Sequence, residues 1–388
     1  MAVLGFEVQG WRDGLAIGHM VAILAAAYCY WIVRRLPQGL PRLIVSTPLF
    51  VVFAYLPLIF NRQTHLVGIA MFYCIMTWMA TFKVLLLCWN TGPGSDPWVA
   101  NCFPRFAIVM TYPAHMKRTG KVVKKVPVAY TRWVDHVTKS EVWYMLLLRS
   151  ALKLIALVII LQLLLQPEPY PKIIIHLLFS IQLYLFVTIV LEILAAFANT
   201  VFGITIEPHF DNPFAAVSLE EFWARRWNLL VSNALRETVF NPVYYLLQKL
   251  ITWHQEVSLK RSKSDVTESM TQDFEAAKEP KDGRGFDLPK LLAMLAAFLV
   301  SGLAHELSVY YVTLKVTWEM NSFFVVQGIA VALEAAWKIY VPGIRPTRIV
   351  GKLLTLTFAF ITSHWLFWPP IDGVSDQVLL EVKRMLPL

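Results

Sequence analysis

The stretch FLVSGLAHELSVYYV, residues 298–312, sets a histidine and a glutamate inside an apolar run. Ser301, His305 and Ser308 are spaced i, i+4, i+7 and share one helical face. Gly302 and Ala304 are small and let a second helix come close. Ionisable side chains within a membrane-length apolar run are costly, so His305 and Glu306 are site candidates by default. Imidazole titrates near neutral pH, and a neutral histidine suits removal of a proton from an alcohol. At this point two readings stay open for His305: a general base, or a histidine that only completes a hydrogen bond between helices. Several other chemistries fail on pattern. HELSV is not H-E-x-x-H, and no G-x-S-x-G elbow occurs. The nine histidines are scattered and form no desaturase-like clusters, and an H-x-x-x-D acyltransferase motif is missing.

The elements that must hold these residues are membrane helices. The 388 residues are 57% hydrophobic and 16% charged, with mean hydropathy +0.55. Soluble domains carry about 25% charged residues. With about 20 apolar residues per crossing, eight spans are expected near 14–33, 42–60, 66–89, 142–165, 171–197, 288–313, 321–341 and 350–368. The fold class is therefore an all-α polytopic membrane protein, 1–388 forming a single domain. Lys83, Arg149, Lys153, His176, Glu192, Glu334 and His364 also fall in apolar runs. Lys83 and Lys153 can snorkel to an interface or pair with a carboxylate, and His364 sits close to the lumenal end, where interfacial Trp and His are ordinary. The fourth span is the weakest, because Arg149 and Lys153 sit inside it.

Basic residues give a direction. Arg34, Arg35 and Arg42 follow the first span, Lys117, Arg118, Lys121, Lys124, Lys125 and Arg132 the third, and Arg345, Arg348 and Lys352 the seventh. With eight spans these loops share one side, the cytosolic one by the positive-inside rule, and both termini are lumenal if the membrane is that of the endoplasmic reticulum. The net charge of +9 is gathered beside spans, which points to anionic lipid and away from nucleic acid. No removable signal peptide is seen at the N-terminus. The polar segment SLEEFWARRWNLLVSNALRET, 218–238, then falls on the cytosolic face. Ser218 and Glu221 suggest a capping box on one short amphipathic helix. Residues 255–285, rich in Ser, Thr, Lys, Asp and Glu, read as a disordered cytosolic insert.

The segment PFAAVSLEEFWARRWNLLVSNALRETVFNPVY (213–244), followed by FLVSGLAHEL (298–307), resembles the plant-type wax ester synthases. These are a branch of the membrane-bound O-acyltransferase family. One departure is Ala224, where relatives often carry Gly; another is the length of the 255–285 insert. The resemblance implies a bundle of about eight tilted helices around a catalytic tunnel, with residues 206–244 as the cytosolic-face motif segment. It implies acyl-CoA as co-substrate with no bound cofactor or metal, and a lipophilic alcohol, foremost a long-chain fatty alcohol, as acceptor. A sterol, diacylglycerol or terpenoid alcohol is the alternative within the family.

Residue by residue, His305 matches the family's catalytic histidine, Asn228 the polar residue of the preceding motif, and Glu306 the acid after the histidine. Ser301 supports the histidine. Arg225, Arg226 and Arg236 could meet the phosphates of acyl-CoA, although positive-inside bias alone places basic residues there. Trp223 and Trp227, spaced i, i+4, fit either a binding role or a helix lying on the membrane. A transporter would show symmetric halves, and none is seen.

Overall fold

The computed structural model describes residues 11–61, 65–111, 143–166, 170–202, 209–265, 287–341 and 343–385. No β-strand occurs among the described residues. The helices are α1 (Trp11–Trp31), α2 (Leu40–Tyr55), α3 (Leu66–Phe72), α4 (Thr81–Cys88), α5 (Pro97–Ala100), α6 (Phe103–Thr111), α7 (Trp143–Leu164) and α8 (Lys172–Phe202). They continue with α9 (Leu219–Glu221), α10 (Leu229–Leu235), α11 (Asn241–Asp265), α12 (Leu288–Thr313), α13 (Glu319–Tyr340), α14 (Arg348–Thr362) and α15 (Pro369–Met385).

Among the described residues seven helices are long and apolar enough to cross a membrane, and they match seven of the eight expected spans. The remaining run, 66–89, is helical but compound. A π-helical stretch, Tyr73–Ala80, joins α3 to α4, and its apolar part is the shorter Met76–Cys88. Large apolar side chains cover the outer surface of the spans. On α7 they include Leu148, Leu152, Ile155 and Ile159, which follow a helical stripe. Such a face is unfavourable in water and natural against lipid tails.

Charges within the spans are paired. Glu192 on α8 accepts hydrogen bonds from Arg149 at 3.0 Å, Ser150 at 3.1 Å and Lys153 at 2.7 Å, all on α7. The basic pair that made the fourth span look weak is thus answered by a carboxylate on its neighbour. Lys83 is buried and donates to the Val109 carbonyl at 2.6 Å. His176 is buried on α8 and bridges His364 at 2.8 Å and Asp372 of α15 at 2.9 Å. Two of the arginines that suggested lipid contact are used inside the fold. Arg42 is buried and donates to the carbonyls of Leu36, Leu87 and Arg34, clamping the turn before α2. Arg34 donates to the Ala100 carbonyl at 2.8 Å and lies over the Tyr30 ring. The basic cluster 117–132 lies outside the described residues.

One expectation is corrected here. Residues 255–265 are not disordered but form the last turns of α11. QEVSLKRSKSD contains neither proline nor glycine, so nothing stops the helix before Asp265. Residues 266–285 of that segment lie outside the described residues.

The helices that carry the site, α12 and α13, pack closely through Gly302. A Cβ at that position would lie 3.0 Å from both the Cα and the carbonyl oxygen of Asn321, and closer still to its side-chain oxygen. Backbone atoms cannot swing away. Gly302→Ala is expected to destabilise by about 1–3 kcal/mol from overpacking, more than the roughly 1 kcal/mol that alanine adds in helix propensity. A lowered thermal midpoint in detergent, with less ester-forming activity per folded protein, checks this.

Candidate active site

The polar segment enters the protein instead of lying on its surface. Ser218 caps α9 by accepting the Glu221 N–H at 3.1 Å. The Glu221 carboxylate accepts the Val217 N–H at 2.9 Å, one residue earlier than a capping box prescribes. The single amphipathic helix expected here does not form. A π-helical turn, Phe222–Arg226, ends at Trp227, and Asn228 starts α10 in a left-handed conformation, φ 41°. The adjoining loop explains the break. Asp211 N–H donates to the Arg226 carbonyl at 3.0 Å, and Leu229 N–H to the His209 carbonyl at 2.7 Å. Those groups would otherwise serve a continuous helix. Asparagine is among the few residues that accept this backbone conformation readily.

The segment then descends along α13. Leu219 N–H donates to Glu334 at 2.7 Å, and Glu220 pairs with Lys338 at 2.9 Å. Trp223 Nε1–H donates to Gln327 Oε1 at 3.0 Å. From Glu334 to Gln327 is seven residues, or about 10 Å along a helix axis. Gln327 is fully buried, and its amide N–H continues to Thr362 Oγ1 of α14 at 2.7 Å. Gly351 of α14 makes room on the other side, since a Cβ there would meet the Val217 carbonyl oxygen at 2.6 Å. Non-helical backbone at such depth is tolerated where protein encloses it.

The expected contact residues divide. Trp223 is surrounded by Phe298, Phe323 and Phe324, with ring centroids 5.8–6.1 Å away. That placement removes it from a lipid-facing helix surface. Trp227 turns the other way and stacks on Phe222 at 5.4 Å. Arg226 grips Glu221 at 2.8 and 2.6 Å and the Asp211 carbonyl at 2.9 Å. Burial works against ionisation of Glu221, but the Val217 N–H and Arg226 outweigh it and hold the carboxyl below its ordinary range. Arg236 donates to Asn233 at 2.9 Å and to the Ala224 carbonyl at 3.4 Å. Arg226 and Arg236 therefore brace the segment itself, and Arg225 is the exposed one of the three.

His305 occupies an aromatic cage. Its ring stacks on Phe324 at 4.1 Å, meets Trp78 edge-on at 4.9 Å and has Phe367 at 6.4 Å. Nδ1 lies 2.7 Å from the Ser301 carbonyl oxygen. A carbonyl only accepts, so Nδ1 carries the proton and Nε2 of the neutral ring is left with its lone pair. Ser301 thus supports the histidine through its backbone. Glu306 does not orient the histidine. It is buried and accepts from Thr317 N–H at 2.7 Å, Trp318 N–H at 2.8 Å and Asn321 N–H at 3.2 Å. These groups lie at the start of α13, where helix N–H donors lack partners.

Asn228 is not hydrogen-bonded to His305. Its Oδ1 accepts the Val231 N–H at 3.4 Å, while its amide nitrogen makes no hydrogen bond among the described residues. It neighbours Trp227, whose ring is 6.5 Å from that of Trp223. Sequence reasoning missed Trp78, Phe324, Phe367 and Gln327. Two of them carried a signal: Gln327 is a lone amide within an apolar run, and Trp78 is a tryptophan at mid-span, away from the interfacial belts.

Glu306→Ala would strip several α13 N–H groups of a charged acceptor, each bond contributing about 1.5–3 kcal/mol. Folded yield and activity should fall together. Glu306→Gln, which keeps one acceptor oxygen, should lose less, as measured by size-exclusion profiles and thermal melts.

The described geometry coincides with a family match. The family model described as "Membrane bound O-acyl transferase family" matches residues 206–326, a range that holds both the polar segment and His305. The chain is 30% identical over 380 residues to "Probable long-chain-alcohol O-fatty-acyltransferase 1" of Arabidopsis thaliana, covering 95% of this chain and 94% of the relative. It is 30% identical over 373 residues to the "Long-chain-alcohol O-fatty-acyltransferase" of Simmondsia chinensis, covering 94% and 92%. It is also 28% identical over 365 residues to "Acyl-CoA--sterol O-acyltransferase 1" of Arabidopsis thaliana, covering 93% and 92%. Similarity runs nearly end to end, through the helices that build the cage as well as the two motifs inside it: this chain belongs to the membrane-bound O-acyltransferase family.

Proposed function

We propose that this protein is an acyl-CoA-dependent O-acyltransferase that esterifies a long-chain fatty alcohol to a wax ester, with His305 as general base. The observation that carries the reading is the hydrogen bond between His305 Nδ1 and the Ser301 carbonyl inside an aromatic cage, which leaves Nε2 as the acceptor of a neutral ring. The relatives named for long-chain alcohols support the choice of acceptor. The sterol-named relative supports a sterol as second acceptor.

In this reading Nε2 takes the alcohol proton while the alcohol oxygen attacks the thioester carbon. The carbonyl electron pair moves onto oxygen, then returns as the C–S bond breaks. The CoA thiolate leaves and takes the proton from His305. No acyl-enzyme forms, so no nucleophilic serine or cysteine is required. Asn228 contributes its unpaired amide N–H to the developing oxyanion or to the thioester. The CoA head stays at the cytosolic face, where exposed Arg225 meets its phosphates. The acyl chain and the alcohol occupy the membrane, reaching the histidine through the family's tunnel. The protein is a multi-pass membrane protein; residence in the endoplasmic reticulum with lumenal termini belongs to this proposal.

His305→Ala is expected to lower turnover by about 10²–10⁴-fold while the protein still inserts; near-normal activity sinks the assignment. Asn228 needs a finer test, because it also caps α10 at positive φ. Asn228→Asp keeps a capping oxygen and loses the N–H donors, so turnover should drop strongly with folding retained. Asn228→Ala should lose both. Expression in a host without neutral lipid synthesis, fed fatty alcohols and sterols, identifies the acceptor by mass spectrometry of the esters. Sterol esters alone would overturn the fatty-alcohol choice.

A further inference from the structure

Trp78 is 7% exposed and its indole N–H has no hydrogen-bond partner among the described residues. Buried donors are almost always paired, and an exception calls for an explanation. This one belongs to a ring packed perpendicular to His305, with centroids 4.9 Å apart. No other candidate elsewhere in the described molecule combines an unpartnered buried donor with contact to the histidine.

The helix holding Trp78 is built to present it. Tyr73–Ala80 is π-helical. The Tyr73 hydroxyl donates to the Ala304 carbonyl, the residue before His305. Thr77 Oγ1 donates to the Phe53 carbonyl of α2 at 2.6 Å. The stretch is therefore pinned on both sides. Residues five apart point about 140° away from each other on an α-helix of 3.6 residues per turn. Where hydrogen bonds run i→i+5 each turn takes more residues, so residues five apart come much closer to one face. The π turn thus puts Trp78 on the same face as Tyr73, the face that meets α12. A regular helix would turn the indole away.

We propose that the Trp78 indole N–H is a hydrogen-bond donor to the thioester carbonyl oxygen of the acyl substrate. The proposal rests on the acyl-transfer reading above. Indole only donates, so it cannot take the alcohol proton. His305 Nε2 is an acceptor, and the two rings offer complementary functions in contact with each other. The carbonyl oxygen is the atom that gains negative charge in the transition state. A donor fixed in apolar surroundings stabilises that charge more than it stabilises the ground state. No bond is made or broken by Trp78, and the proton stays on its nitrogen.

The test uses the full-length protein in nanodiscs with a long-chain acyl-CoA and a long-chain alcohol. Trp78→Phe removes the donor and keeps an aromatic ring. Incorporation of 3-benzothienylalanine at position 78 removes the N–H and keeps the indole shape. Both should lower kcat about a hundredfold, with KM for either substrate and the thermal midpoint near those of the parent protein. A tryptophan that only fills space predicts a lowered midpoint for Trp78→Phe and full kcat for the isostere; full kcat in the isostere overturns the proposal. A parent protein that forms no ester from any alcohol overturns the acyl-transfer reading and this proposal with it.

Discussion

A buried carboxylate beside His305 holds two helices in register. Glu306 of α12 gathers the N–H groups that open α13, including those of Thr317, Trp318 and Asn321. In a bilayer those donors have no water to fall back on. The same contact sets Gly302 against Asn321. It also fixes how far Phe324, in the second turn of α13, stands from His305. The stacked pair at 4.1 Å is a consequence of that register. The acid next to the histidine is therefore an architectural element, and the Ser301 carbonyl sets the proton's place on the imidazole ring.

Irregular helix surrounds the cage. π-helical stretches carry Trp78, Trp223 and Phe367, each in contact with His305 or with its stacking partner. Wide turns break the side-chain period of a helix and let a bulky ring face inward where the regular period would face it out. They also explain why the span 66–89, continuous by hydropathy, is compound in the structure.

The polar segment 218–238 resolves in the same terms. Its polar groups are mostly spent on itself and on α13: Arg226 on Glu221, Glu220 on Lys338, and the Leu219 backbone N–H on Glu334. Its tryptophans divide between the cage and an outer cluster around Phe222 and Phe210. The Trp223–Gln327–Thr362 relay carries hydrogen bonding from the segment through α13 to α14. A piece that composition marks as soluble can thus lie among membrane helices, because most of the polar groups it brings find protein partners.

The sequence by itself determined the class of fold, the seven described helices long and apolar enough to cross a membrane, and the two motifs. Each depends on local composition or fixed spacing, which a linear chain displays. For Lys153 the sequence left snorkelling or pairing with a carboxylate; Glu192 is that carboxylate, and it takes Arg149 as well. Only the tertiary structure decided which face His305 shows, that Glu306 caps a helix, and that Arg42, Arg226 and Arg236 serve the fold. It also decided that Trp78 and Phe324 enclose the histidine from spans some 227 residues (305 − 78) and 19 residues (324 − 305) away along the chain. Those outcomes depend on helix register and on departures from the regular helical period. Hydropathy averages over both, so neither leaves a mark that a single chain can be read for.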